Sequence, residues 1–187
     1  SESATSLNVG GIVGSSIGGY IFQCANTGDI TCYRLGRSGG LLGIGYGKNY
    51  IMNCYATGAI SANSGGTGAG GLASSINSGD KIYYSYFAGT LPTGGINAAD
   101  PIAANAGSVN SVMYCYYPDR LSNLYTFPYA YKVTDTQMKS ASSLPLLDFE
   151  TVWTFVDGEN DGYPVLRNFY PLWDGNAPVF DRAPFSE

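Results

Sequence analysis

NCYATGAIS, residues 53–61, and QCANTGDIT, residues 23–31, are nearly the same nine-residue phrase, thirty positions apart, with a cysteine in second place each time. Repetition at a fixed step means one structural unit stacked on copies of itself. Working outward, GGIVG at 10–14, GGLLG at 39–43 and GGLAS at 70–74 precede three copies, and DPIAA at 100–104 takes the fourth slot. Their apolar third positions, Ile12, Leu41, Leu72 and Ile102, are separated by 29, 31 and 30 residues. The second half of each unit keeps the step. Ile21, Ile51, Ile82 and Val112 form one column, Cys24, Cys54, Ser85 and Cys115 another, and Gly28, Gly58 and Gly89 a third.

Helical solenoids of similar period need amphipathic helices of about ten residues or more, whereas here glycine interrupts every few positions and β-branched or aromatic residues fill the short runs between. The pattern therefore predicts an all-β protein: a parallel β-solenoid of about four rungs, each of about 30 residues, stacked so that inward side chains bury only against the rungs above and below. Glycines and asparagines are expected at the bends, where positive φ is cheap. The rungs are expected near 7–37, 38–68, 69–98 and 99–130, making 1–130 the repeat region. Residues 131–170 follow as a C-terminal capping element of mixed helix and strand, and 171–187 as a tail or linker.

GGLLG followed by IMNCYATGAIS resembles the GLUG-motif repeat, a Gly-Gly-apolar-apolar-Gly turn and then Asn-Cys-Tyr-Ala-Thr-Gly. The likeness is most specific over 38–61, extends to 10–31 and 70–91, and is faint over 100–117, where both glycine turns are lost. It implies a bacterial secreted or surface-attached protein of adhesin type, whose repeats are not catalytic.

Composition agrees with such a class. Charged residues are only 12% of the chain while Gly 26 and Tyr 16 are both high, and 44% hydrophobic excludes wholesale disorder. The net charge of −5 comes from one end: residues 1–130 hold five acids and five bases, and 131–187 hold nine acids against four bases. No basic stripe exists, so nucleic acid is not an expected partner. No run of 18 apolar residues exists, so no membrane span is expected, and the N-terminal SESATSLN lacks the pattern of a leader, so any signal is expected to lie outside it.

The cysteine column reads as stacked packing. Strands alternate faces, so with Cys54 and Ala56 inward, Tyr55 and Thr57 point out. In-register parallel neighbours hold their Cβ atoms near the rung spacing, beyond the usual ~3.8 Å of a disulfide, so buried free thiols are expected.

Candidate sites are few. With His 0 there is no imidazole for a triad or a zinc site. Enzymes on β-solenoids group several Asp, Lys or Arg on one face, and here Asp29 corresponds to Ala59 and Thr90, and Lys81 to Tyr50, so the charges do not stack. Glycoside hydrolysis needs two carboxyls at a defined separation. The phrase DGENDG, 157–162, places Asp157, Glu159 and Asp161 at alternate positions, as a calcium loop does, but Asn168 stands where the closing Glu belongs; a polar turn between two strands is the simpler account. Tyr55, Tyr86 and Tyr116 share one outward column, and Tyr84 and Tyr114 another. Stacked rings cover a sheet, and they also make a flat surface on which sugar rings lie.

These readings converge on a non-catalytic module of a bacterial surface or secreted protein, presenting a binding face, Tyr55, Tyr86 and Tyr116, to glycan or host and cell-surface ligands, with no cofactor. A polysaccharide lyase or hydrolase of β-solenoid type is the alternative.

Overall fold

The computed structural model describes residues 7–33, 36–62, 66–94 and 98–170; the proposed tail at 171–187 lies outside the described residues. The chain winds as a parallel β-solenoid. One wall stacks Leu7–Gly10, Gly36–Gly39, Gly68–Gly70 and Ala99–Asp100, and a second stacks Val13–Ser16, Leu42–Gly45, Ala73–Ile76 and Ala103–Ala106. The third and widest begins with Gly19–Phe22, Asn49–Met52 and Lys81–Tyr83, continues past a bend with Ala25–Asn26, Tyr55–Ala56 and Tyr86–Phe87, and is joined across the bend by the long strand Val112–Pro118. Every pairing along these walls is parallel. The step between partners follows the sequence repeat: Leu7 faces Gly36, Arg37 faces Gly68 and Ala69 faces Ala99, steps of 29, 31 and 30.

The repeat columns are the core. Leu41, Leu72 and Ile102 are fully buried, as are Ile51, Ile82 and Val112, with Ala56 and Phe87 beside them. Burying one such side chain contributes about 1.5–3 kcal/mol. The paired glycines of the Gly-Gly turns serve close approach rather than positive φ. A Cβ on Gly40 would stand 2.1 Å from the Gly71 carbonyl oxygen, and one on Gly71 would stand 2.0 Å from that of Pro101 and 2.3 Å from the Phe87 ring. The Gly-Gly turn recurs because the next rung's backbone occupies the space.

Positive φ falls instead on the residue before the cysteine column: Gln23 (48°), Asn53 (52°), Tyr84 (48°) and Tyr114 (60°). After Gln23 and Asn53 the left-handed bend aims the next backbone N–H at the following rung, where a side chain receives it. Cys24 N–H donates to Cys54 Sγ at 3.4 Å, and Cys54 N–H to Ser85 Oγ at 3.0 Å. The column thus selects a small side chain with an acceptor atom, which explains how Ser85 replaces a cysteine. The four cysteines are free thiols.

At the end of the stack, residues 121–127 cover the open core. Leu121 and Phe127 are buried in the same core, with Tyr125 packed against it. Asp100, 1% exposed, holds this cover in place: Oδ1 accepts from Ile102 N–H (2.9 Å) and Ala103 N–H (3.1 Å), and Oδ2 from Leu124 N–H (2.9 Å) and Tyr125 N–H (3.0 Å). Burial pushes its carboxyl up, and the four N–H donors oppose that rise. Asp100→Asn keeps the shape but presents an NH2 to one pair of N–H groups, so it is expected to cost about 2–3 kcal/mol in urea denaturation; an unchanged midpoint would mean the cover is not held there.

Tyr129–Val133 then pairs in parallel with Val112–Pro118 as one further layer. From Thr134 the chain turns onto the flank. Thr134 caps the helix Asp135–Met138 with a reciprocal capping box to Gln137 (3.1 and 2.9 Å). Arg120 ties this start to the solenoid, meeting Asp135 at 2.9 Å and donating to the Gly89 carbonyl at 2.8 Å. The strands Trp153–Thr154 and Val165–Leu166 form an antiparallel pair around the DGENDG turn, where Asn160, Asp161 and Gly162 are all left-handed.

Candidate functional site

Cys54 and Ala56 point into the core, so Tyr55 points out, as alternation requires. Outward is not exposed, however. Tyr55, Tyr86 and Tyr116 are 3%, 0% and 2% accessible, because the flank segment lies over them with Met138, Leu144, Trp153, Val165 and Leu166. Tyr55 and Tyr86 stack with centroids 5.2 Å apart and planes within 2°, and Trp153 tilts against both at 6.0 and 5.6 Å. The Tyr86 hydroxyl donates to the Pro164 carbonyl and accepts from Asn160 Nδ2 at 2.8 Å, while Leu146 N–H donates to the Tyr116 hydroxyl at 3.3 Å. Burial raises all three phenols, Tyr55 to about 12. This corrects the reading of the column as an open platform. Its rings are the seam that binds the chain's own C-terminal segment, and a ligand cannot reach them in this fold.

The open aromatic surface lies on the same wall, one strand earlier. Flanking the inward Ile21, Ile51 and Ile82, the outward positions stack Tyr20 on Tyr50 on Lys81, and Phe22 on Met52 on Tyr83 on Met113. The left-handed bend adds Tyr84 and Tyr114, and Met113 pairs with Tyr129. Rings group in register: Tyr20 with Tyr50 at 5.3 Å and 18°, Tyr84 with Tyr114 at 5.1 Å and 17°, then Tyr83 with Tyr84 at 6.4 Å and Tyr114 with Tyr129 at 6.0 Å, both tilted. Tyr20 is 60% and Tyr129 44% accessible, with the others between buried and exposed. Burial raises the Tyr83 phenol, and its neighbours Tyr50, Tyr84 and Tyr114 raise it further, so this hydroxyl is a neutral donor and acceptor at neutral pH. The single charge among these outward positions is Lys81, whose Nζ donates to the Asn110 carbonyl at 3.2 Å.

Tyr84 and Tyr114 were visible in the sequence as a column, whereas Tyr20, Tyr50, Tyr83 and Tyr129 were not singled out. The signal was present: they stand on either side of the inward isoleucine column, or pair beside it. Their chemistry is that of flat, neutral, hydroxyl-edged rings, suited to stacking and hydrogen bonding and unsuited to proton transfer or charge stabilisation.

The acidic turn has structural partners. Glu159 Oε2 accepts from the Tyr170 hydroxyl at 2.8 Å, and Asn160 Oδ1 accepts from Thr57 Oγ1 at 3.0 Å, pinning the turn to the solenoid. Among the described residues, no three His, Cys, Asp or Glu side chains are grouped as metal ligands, Asp157, Glu159 and Asp161 included. No described helix is long and apolar enough to cross a membrane.

No protein-family model matches this sequence, and no curated protein matches it. Among solved structures the fold is similar to that of a candidate immunoglobulin A1 protease from Bacteroides ovatus, at 19% identity and a TM-score of 0.54, over 84% of this chain and 52% of that one. The chain therefore spans about half the length of that protein, and the likeness at this identity is one of fold.

Proposed function

We propose that the protein is a non-catalytic binding module of a bacterial secreted or surface-attached protein, adhesin-like and related to the GLUG-motif repeats, which presents its open tyrosine face to extracellular glycans. The observation that carries the reading is the ladder of Tyr83, Tyr84, Tyr114 and Tyr129 on the outer wall, neutral and in contact ring to ring. Apolar sugar faces stack on such rings while phenol hydroxyls bond the sugar rim, and an accessible aromatic patch of this kind marks an interaction surface. The scarcity of charge on the face supports a binding role over catalysis, since lyases and hydrolases need acids and bases aimed at one bond. The similarity to half of a candidate protease supports a module carried beside other domains.

A glycan array on wild type and on the double variant Tyr84→Ala with Tyr114→Ala tests this. Each ring is expected to contribute about 1 kcal/mol of contact, so binding should fall at least about tenfold while circular dichroism stays that of a β protein. Unchanged binding by a folded double variant eliminates the face, and depolymerisation of a polysaccharide by wild type would replace the module with an enzyme.

A further inference from the structure

The cysteine column contains one place where two thiols meet. Cys24 and Cys54 stand in register on adjacent rungs, since Ala25 faces Tyr55 and Asn26 faces Ala56. One rung further, Ser85 interrupts the column, so Cys115 has a hydroxyl rather than a thiol as its neighbour there. The Cys54 sulfur leans across the gap into the first rung: it lies 3.4 Å from Cys24 N and 3.3 Å from the Ile21 carbonyl oxygen. Access is graded along the column. Cys24 is partly exposed, whereas Cys54, Cys115 and, on another wall, Cys32 are 0%, 0% and 1% accessible.

We propose that Cys24 is a thiol-modification site for low-molecular-weight disulfides, with Cys54 beneath it as the resolving thiol that converts the adduct into a disulfide between the first two rungs. The Cys24 thiol gives up its proton to water, and the thiolate attacks one sulfur of a small disulfide such as glutathione disulfide. The S–S bond breaks, one glutathione leaves as a thiolate that takes the proton back from water, and a mixed disulfide forms on Cys24. Cys54 then attacks the Cys24 sulfur, expels the second glutathione, and its proton ends on that leaving thiol. The sum is one small disulfide reduced to two thiols and two protein thiols oxidised to one disulfide. The neighbouring Cys54 thiol lowers the Cys24 pKa to about 6, while burial raises that of Cys54, which orders the two sulfurs as attacker and resolver.

Geometry permits the second step. Adjacent strands lie about 4.8 Å apart, inside the range of about 4.4–6.8 Å that Cα atoms of a disulfide span, and the Cβ atoms must close by roughly 1 Å to reach the usual ~3.8 Å. Gln23 and Asn53, both left-handed, place a bend immediately before each of the two cysteines. Flat in-register geometry argued against a bridge from sequence; the leaning sulfur changes that.

The test incubates folded protein with glutathione disulfide at neutral pH and follows intact mass and peptide maps. Wild type is expected to release two glutathiones per chain and to yield a 24–54 crosslinked peptide. Cys54→Ser is expected to stop at one glutathione on Cys24, and the column already accepts serine at Ser85. Cys24→Ser should stay unmodified while folded, which keeps the test decisive if Cys54→Ser fails to fold. In a parallel reaction, iodoacetamide should label Cys24 at least about tenfold faster than Cys32 and Cys115. A wild type that remains fully reduced, that keeps glutathione without crosslinking, or that reacts equally at Cys32 and Cys115 overturns the proposal.

Discussion

Ile51→Asp is expected to leave the protein unfolded at room temperature. Ile51 is 1% exposed, paired in register with Ile21 above and Ile82 below, and all three belong to one apolar core. A carboxylate there either stays charged without a partner, at a cost of several kcal/mol, or takes up a proton and remains a poorly bonded polar group. Lost packing adds about 2–5 kcal/mol. Together these rival the whole stability of a domain, about 5–15 kcal/mol. Met52→Asp, one residue on and facing out, is the control, expected to cost about 1 kcal/mol. Thermal melts followed by circular dichroism compare them, and a folded Ile51→Asp with a wild-type midpoint would refute the register.

Trp153→Ala is expected to detach the flank. The indole is fully buried, wedged over the Tyr55 and Tyr86 rings, and its removal should cost about 3–5 kcal/mol. That loss falls on the second cluster, so the solenoid signal in circular dichroism should persist at denaturant concentrations where the flank has opened. Nitration by tetranitromethane reads the same event residue by residue: Tyr55, Tyr86 and Tyr116 should be protected in wild type and reactive in the variant. Alkali offers a second reading. The folded phenols of Tyr55 and Tyr86 lie above the ordinary value of 10.0, Tyr55 at about 12, because burial disfavours the anion. The unfolded chain therefore loses these protons first. The stability they share in is intact below pH 10 and is lost as pH rises from 10 through about 12, with the flank opening earliest. Continued protection of all three tyrosines in Trp153→Ala would show that the seam is held by something else.

The second of these variants bears on function. Because Tyr55, Tyr86 and Tyr116 are spent on binding the chain's own C-terminal segment, truncating them would change stability first, and any loss of ligand would be indirect. Tyr114 lies on the open wall clear of the seam cluster, whereas Tyr84 also packs against it, so binding by the Tyr84→Ala, Tyr114→Ala variant is read beside its melting temperature.

The sequence by itself determined the solenoid, its rung length and its register, because stacked rungs repeat the same inward letters and those letters are local: the steps of 29, 31 and 30 in the apolar columns are the steps of the strand pairing. It also determined which side of the strand each residue takes, since alternation is a property of the extended backbone. A helix start at Thr134 or Asp135 was legible for the same reason, being a local signal, and the structure places the cap on Thr134. Only the tertiary structure decided which outward tyrosines are open. The cover over Tyr86 comes from Pro164 and its neighbours, 78 residues further along, and no periodicity within the repeats encodes where that segment lands. It likewise decided that left-handed positions fall on Gln23, Asn53, Tyr84 and Tyr114 and not on the paired glycines of the Gly-Gly turns, because the need for that bend arises where one rung must hand its N–H to the next, a contact between rungs that no single rung contains.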